Sequence, residues 1–186
     1  MAQLNSVGLL EVSSIALGQV AEDAMLKAAP VDLLLARTIC SGKFLIVVGG
    51  DVAAVESAVE AGATIARGAV IEQRVIPHVH ESVFPAISMA SDVPPDRLGA
   101  LGVIETFSAA SIVEVADAAV KSADVVLFRV HLAMAIGGKG FLLLTGDVAS
   151  VEAAVGAGRQ MASEEGMLVA SAVIASPRKE LFREFS

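Results

Sequence analysis

The chain carries the same segment twice. Residues 8–11 (GLLE) return as residues 102–105 (GVIE), an offset of 94 residues. A second block, residues 50–52 (GDV), returns as residues 146–148 at an offset of 96, which places a two-residue length difference around Cys40 of the first copy. So many matches in one order indicate a duplicated domain. Two matched copies favour symmetrical self-assembly over a self-contained enzyme.

A polar stretch with two prolines, residues 91–96, separates the copies and can continue neither a helix nor a strand. We therefore predict a first domain at residues 1–92, a linker at 93–96 and a second domain at 97–186. Domains of about 90 residues bury only modest cores, so oligomerisation is a natural source of further stability.

The pattern of apolar residues predicts β-α-β-β-α-β in each copy, an α+β fold of two tandem ferredoxin-like units. We expect strands at residues 7–12, 31–38, 44–48 and 69–76, and again at residues 101–106, 125–132, 141–145 and 167–174. Asp51 and Asp147, each directly after a glycine, are the predicted N-caps of the second helices. Leu17, Val20, Ala24 and Ala28 give the first helix an apolar stripe at spacings of three and four. The residues predicted to face inward on the second helices are Val52, Val55, Val59, Val148, Val151 and Val155.

Charge and hydropathy exclude several classes of function. A net charge of −8 argues against binding to nucleic acid or to an anionic membrane surface. The most apolar stretch, residues 125–144, is interrupted by three charged or histidine side chains and three glycines, so it is predicted to form two strands and a turn rather than a span. Residues 1–5 resemble no signal peptide and the chain has one cysteine, which together favour a cytoplasmic location.

At this point the chain resembles the bacterial microcompartment shell family. The resemblance rests on the Gly-hydrophobic-Glu opening of each copy and on Asp-x-x-x-Lys in each first helix, and it covers nearly the whole chain. It implies trimers of tandem domains that imitate hexamers, with the loops between the second and third strands around a central pore. The implied pore-lining residues are Ile39, Ser41, Gly42, Ile136, Gly137 and Gly138. Lys27 and Lys121, which spacing alone would assign to a solvated surface, are implied to lie at the edge where tiles meet.

The loop around Cys40 carries the more specific resemblance. Residues 38–44 (TICSGKF) and the pattern of residues 129–131 with 137–139 are similar to tandem shell proteins of propanediol utilisation, although Ser41 stands where that resemblance implies proline. It implies an iron–sulfur cluster bound by the cysteine on a threefold axis. One thiolate cannot hold a cluster, but three copies of Cys40 could ligate three irons of a 4Fe-4S cluster. From the residues alone, Cys40 could equally be an ordinary loop residue or serve another metal or redox role.

Cys40 also breaks the internal symmetry, because the offset of 94 places Met134 at the matching position. The other candidates have plainer interpretations: His78 and His80 as surface or interface residues rather than metal ligands, and the residues around Asp51 as a helix cap rather than a phosphate site. No nucleophile elbow or P-loop is present.

We therefore expect a non-enzymatic shell tile that transfers electrons across the shell, or delivers or stores a cluster. Its implied partners are its own copies, other shell proteins and enclosed redox enzymes. An open metabolite pore without a cluster and a small-molecule-binding regulatory module remain the alternatives.

Overall fold

The structure is a computed structural model that describes residues 4–88, 91–134 and 136–183. It divides after Phe84 into two compact units, with the short segment Met134–Gly137 counted in the first. The linker predicted at residues 93–96 overlaps a 3-10 turn at Pro95–Arg97. The boundaries predicted at residues 92 and 97 stay a prediction.

The first unit has the predicted order β-α-β-β-α-β. Its elements are β1 (Ser6–Val12), α1 (Ile15–Ala28), β2 (Asp32–Ile39), β3 (Lys43–Gly50), α2 (Val52–Ile65) and β4 (Val70–Pro77), and a short helix α3 (Val83–Ile87) spans the division between the units. The strands form one antiparallel sheet in the order β2-β3-β1-β4.

The second unit repeats this arrangement. Its elements are β5 (Ala100–Thr106), α4 (Ala109–Ser122), β6 (Val126–Leu132), β7 (Gly140–Gly146), α5 (Val148–Glu164), β8 (Leu168–Ile174) and α6 (Glu180–Arg183). The sheet order is β6-β7-β5-β8, again antiparallel, which confirms the duplicated α+β fold. The apolar stretch at residues 125–144 forms β6, β7 and their loop, as predicted. Among the described residues, no helix has the length and apolar content needed to cross a membrane.

Both predicted N-caps are confirmed. The Asp51 carboxylate accepts a hydrogen bond from the backbone N–H of Ala54 at 2.9 Å, and Asp147 accepts one from Ser150 at 3.0 Å. The hydroxyl and backbone N–H of Ser150 also hold the pKa of Asp147 below its ordinary value. A carboxyl with a lowered folded-state pKa stabilises the fold above its unfolded pKa, and this contribution is lost as the pH falls through the lowered value.

The second helix of each unit packs as predicted through its two central valines. Val55 and Val59 are buried, as are Val151 and Val155 of the second unit. The inward prediction is wrong for Val148, which is 39% exposed. Val148 is the first residue of α5, and because side chains tilt towards the helix N-terminus, its side chain projects beyond the end of the helix.

The stripe predicted for α1 does not face the core. α1 buries Gly18, Ala21 and Met25 instead, while Leu17 is 39% and Val20 53% exposed. The helix meets the sheet through its small residues: a Cβ on Gly18 would lie 2.6 Å from atoms of the Phe44 side chain on β3. The close approach at Gly18 turns the larger apolar residues outward.

The second unit makes the same helix–strand contact, but the large side chain is on the helix and the glycine is on the strand. Ile112 stands at the position of Gly18 and Gly140 at the position of Phe44, and a Cβ on Gly140 would collide with Ile112. One large and one small residue fill the space in both units, so the packed volume is preserved.

The glycine that opens each repeat has a packing role. A Cβ on Gly8 of β1 would lie 2.6 Å from Val59 Cγ2 and 2.7 Å from Val55 Cγ1, and Gly102 of β5 faces Val155 and Val151 in the same way. The second helix therefore rests directly on the backbone of the first strand.

We expect Gly8→Ala to lower the free energy of unfolding by about 1–3 kcal/mol, because the added methyl overpacks the helix–strand contact. Gly156→Ala is the control: a Cβ there meets nothing within 4 Å, and a helical alanine is more stable than glycine by about 0.8–1 kcal/mol. Thermal unfolding measures both. Equal effects of the two substitutions would show that Gly8 is not needed for close packing.

Candidate functional site

The loop between β2 and β3 is a tight turn with Cys40 as its first residue. Ile39 pairs with Lys43 in the β2–β3 ladder, so only Cys40, Ser41 and Gly42 lie outside it. Ser41 has φ 66° and Gly42 has φ 73°, two consecutive left-handed residues. Proline has φ near −65°, so the proline that the resemblance implies at position 41 is incompatible with this turn.

The corresponding loop of the second unit is longer. The backbone N–H of Ala133 donates to the carbonyl of Lys139 at 2.9 Å, as the pair that matches Ile39 and Lys43. Residues 134–138 therefore replace the three residues of the first loop. The change in repeat offset lies in this loop, and Met134, which is 42% exposed, stands opposite Cys40 in the alignment of the two units.

The predicted site residues lie on or beside these two loops. Cys40 is half-buried, and its neighbours Ser41 and Gly42 are exposed. Ile39 is only 6% exposed, so most of its side chain is withdrawn from solvent. In the second loop, Gly137 is exposed, whereas Ile136 and Gly138 are half-buried. Their role as pore-lining residues stays a prediction.

Each loop is flanked by an ion pair that the sequence analysis missed. Lys43 Nζ lies 2.7 Å from Glu11 Oε1, and Lys139 Nζ lies 2.9 Å from Glu105 Oε1. The lysine and glutamate are diagonal neighbours on adjacent antiparallel strands, because Glu11 stands directly opposite Leu45. The signal was present in the sequence, since both members of the pair recur in both copies.

The two ion pairs differ in burial. The Glu11 side chain is 8% exposed and that of Glu105 is 35% exposed, while their lysines are about equally accessible at 31% and 37%. A carboxylate withdrawn from water depends on its partner for compensation, whereas an accessible one can be solvated. The copy that carries the cysteine therefore has the pair that is costlier to break.

A single chain offers one thiolate to a metal. Cys40 is the only cysteine in the sequence, and the described residues contain no group of three or more His, Cys, Asp or Glu side chains placed to hold an ion. The side chains of one chain thus fit an iron–sulfur cluster only as one ligand of several. His80 is engaged locally: its Nδ1 lies 2.9 Å from Ser82 Oγ and accepts from the Ser82 N–H at 3.3 Å.

Lys27 and Lys121 are accessible lysines held in the same local geometry. Each forms an i,i+4 ion pair, Lys27 with Asp23 at 2.6 Å and Lys121 with Asp117 at 2.5 Å. The Lys27 side chain is 74% exposed and the Lys121 side chain 44%. The recurring Asp-x-x-x-Lys therefore orients an ammonium group near the end of each first helix.

Comparison with known proteins identifies the same domain twice. The family model described as the BMC domain matches residues 6–79 and 100–177. The bacterial microcompartment shell protein PduT of Citrobacter freundii is 45% identical over 179 residues, which cover 96% of each chain. The shell protein PduA of the same organism is 40% identical over 83 residues, covering 44% of this chain and 89% of that one. A crystal structure of a microcompartment protein from Desulfitobacterium hafniense has 51% identity and a TM-score of 0.93, covering 97% of this chain and 99% of the other.

The burial difference leads to a stability prediction. We expect Lys43→Met to lower the free energy of unfolding by about 3 kcal/mol, because it leaves the buried Glu11 carboxylate uncompensated. Lys139→Met, the matched change in the second unit, should cost less than about 1 kcal/mol because water can reach Glu105. Chemical denaturation of both variants tests this, and losses of equal size would contradict it.

Proposed function

Because the chain belongs to the BMC domain family and is a structural component of a bacterial microcompartment shell, we propose that it forms a homotrimeric, pseudo-hexameric tile whose central opening holds a 4Fe-4S cluster. The observation that carries the proposal is the asymmetry of the two loops: Cys40 begins a three-residue turn in one unit, and Met134 takes its place in a longer loop in the other. An assembly of three chains would present three cysteines, all equivalent by symmetry.

The first helix supports self-association. Ile15, Leu17, Val20 and Leu26 of α1 are between 39% and 53% exposed, although all are large and apolar. Large apolar side chains left exposed on a helix gain from being buried where one subunit meets another. Two similar units in each chain allow three chains to arrange six units around one axis, which is how a duplicated chain imitates a hexamer.

Cys40 would supply the ligands. Three thiolates, one from each chain, could hold three irons and leave the fourth to water or an exogenous ligand. Cys40 is half-buried and is followed by the exposed residues Ser41 and Gly42, so the loop that carries it lies at the surface of the chain. When bound, such a cluster supplies one-electron transfer. The tile would then pass electrons across the shell to enclosed redox enzymes, or deliver or store a cluster for them.

The alternatives have different consequences. An open metabolite pore would use the same trimer with Cys40 merely lining it, so metal content separates it from the present proposal. A regulatory module would bind a small molecule and remain a discrete oligomer. The similarity to PduT and PduA, both named shell proteins, supports a tile that associates with other shell proteins.

The first test is the iron content of protein purified and reconstituted without oxygen. We expect about four irons and four sulfides per trimer, with an EPR signal on reduction, because the three thiolates come from one trimer. Cys40→Ser should abolish the signal. Ser41→Ala, which changes the neighbouring exposed residue and keeps the thiol, should retain it. A trimer that assembles normally and takes up no iron would overturn the cluster and favour the open pore.

The second test concerns the tile edges. We expect the double variant Lys27→Ala/Lys121→Ala to form trimers but no extended sheets in electron micrographs, because both oriented ammonium groups are lost. Arg67→Ala/Arg159→Ala removes two exposed cations elsewhere and should leave the sheets intact. If the lysine variant still forms sheets, the edge role is refuted. If neither the lysine variant nor the arginine variant forms sheets, the net charge of the tile is responsible instead.

A further inference from the structure

The Glu11–Lys43 ion pair lies at the base of the cysteine loop. Lys43 is the first residue of β3 and pairs with Ile39, which directly precedes Cys40. Its ammonium is held 2.7 Å from Glu11 on β1, the central strand of the sheet. Cys40 follows Ile39 directly, and Ser41 and Gly42 connect it to Lys43, so fixing this closing pair fixes where the loop leaves the sheet.

The surroundings of Glu11 make this pair costlier to break than a surface contact, because a buried carboxylate left without its cation is strongly destabilising. Among the described charged side chains, Glu11 is the only one that is buried. On β4 it stands opposite a second carboxylate, Glu72, whereas Glu105 stands opposite Ala170 in the second unit. Arg74 lies 3.5 Å from Glu72, and Lys43 is the cation 2.7 Å from Glu11.

We propose that the Glu11–Lys43 ion pair is a positioning device for Cys40, an inference that rests on the proposed function. A site built by three loops from three chains binds best when each loop is already held near its binding position. Otherwise the entropic cost of ordering a loop arises three times. The pair holds the start of β3 against the central strand β1, and the ladder pairing of Ile39 with Lys43 joins the end of β2 to the same point. The second unit retains the same pair in a more exposed form, beside a loop that carries no thiol.

The experiment compares Glu11→Gln with Glu105→Gln in the full chain. Gln keeps the size of the side chain and removes its charge, so it weakens the pair without opening a cavity. We expect Glu11→Gln to lower the iron affinity of the trimer by about tenfold or more, as replacement of groups behind metal ligands typically does. Glu105→Gln should match the parent. Lys43→Arg, which can keep the pair, should bind iron normally, whereas Lys43→Gln should behave as Glu11→Gln.

A second measurement needs no cluster. In metal-free trimer, the rate at which iodoacetamide alkylates Cys40 reports how firmly the loop is held. We expect faster alkylation in Glu11→Gln than in the parent, and the parent rate in Glu105→Gln and Lys43→Arg. Gel filtration and circular dichroism confirm that each variant is assembled and folded; if Glu11→Gln does not assemble, the comparison of Lys43→Arg with Lys43→Gln takes its place.

The outcomes separate the two proposals. If the parent binds iron and both glutamine variants match it in iron affinity and in alkylation rate, the positioning role is refuted and the cluster proposal is unaffected. Absence of iron from the parent overturns the cluster, and the alkylation rates then decide the positioning role alone: faster reaction in Glu11→Gln supports it, and equal rates refute it.

Discussion

The first strand of each unit carries the contacts on which the remaining structure depends. β1 lies between β3 and β4 and is buried along its length, and β5 has the same place in the second sheet. Towards one end of β1, Gly8 has no side chain, so Val55 and Val59 of α2 pack directly against the strand backbone. The other end carries Glu11, which reaches the lysine at the base of the loop. A single strand thus packs against the helix through its glycine and contacts the lysine beside the cysteine loop through its glutamate. These two contacts give a physical reason for the Gly-hydrophobic-Glu motif.

The two units preserve this framework while their sequences diverge. Gly18 and Phe44 become Ile112 and Gly140, an exchange of large and small residues that fills the same space. Loops tolerate more change than packed contacts because inserted residues there displace no core atoms. The cysteine loop has three residues and its counterpart five, with Met134 in place of the thiol. The two units therefore differ at their loops and keep a constant core.

Local signals predicted much of the fold, and failures arose where packing partners mattered. Asp51 and Asp147 were identified as caps because a cap is a contact between near neighbours in sequence. The apolar residues of α1 were identified, but not their direction, since Leu17 and Val20 face outward while Gly18 and Ala21 meet the sheet. The spacing of apolar residues predicts that a helix has an apolar face. It does not predict whether that face packs against the core of its own unit or against another subunit.

The sequence by itself determined the duplication, the order of the elements, the family and the single cysteine, because repeats and motifs are properties of residue order. Only the tertiary structure decided that Lys43 meets Glu11, residues 32 positions apart, and that this carboxylate is buried while Glu105 is not. It also decided that Cys40 begins a turn of two left-handed residues. Contacts between strands and the exclusion of water from a side chain depend on how distant segments pack, and no spacing along one strand encodes them.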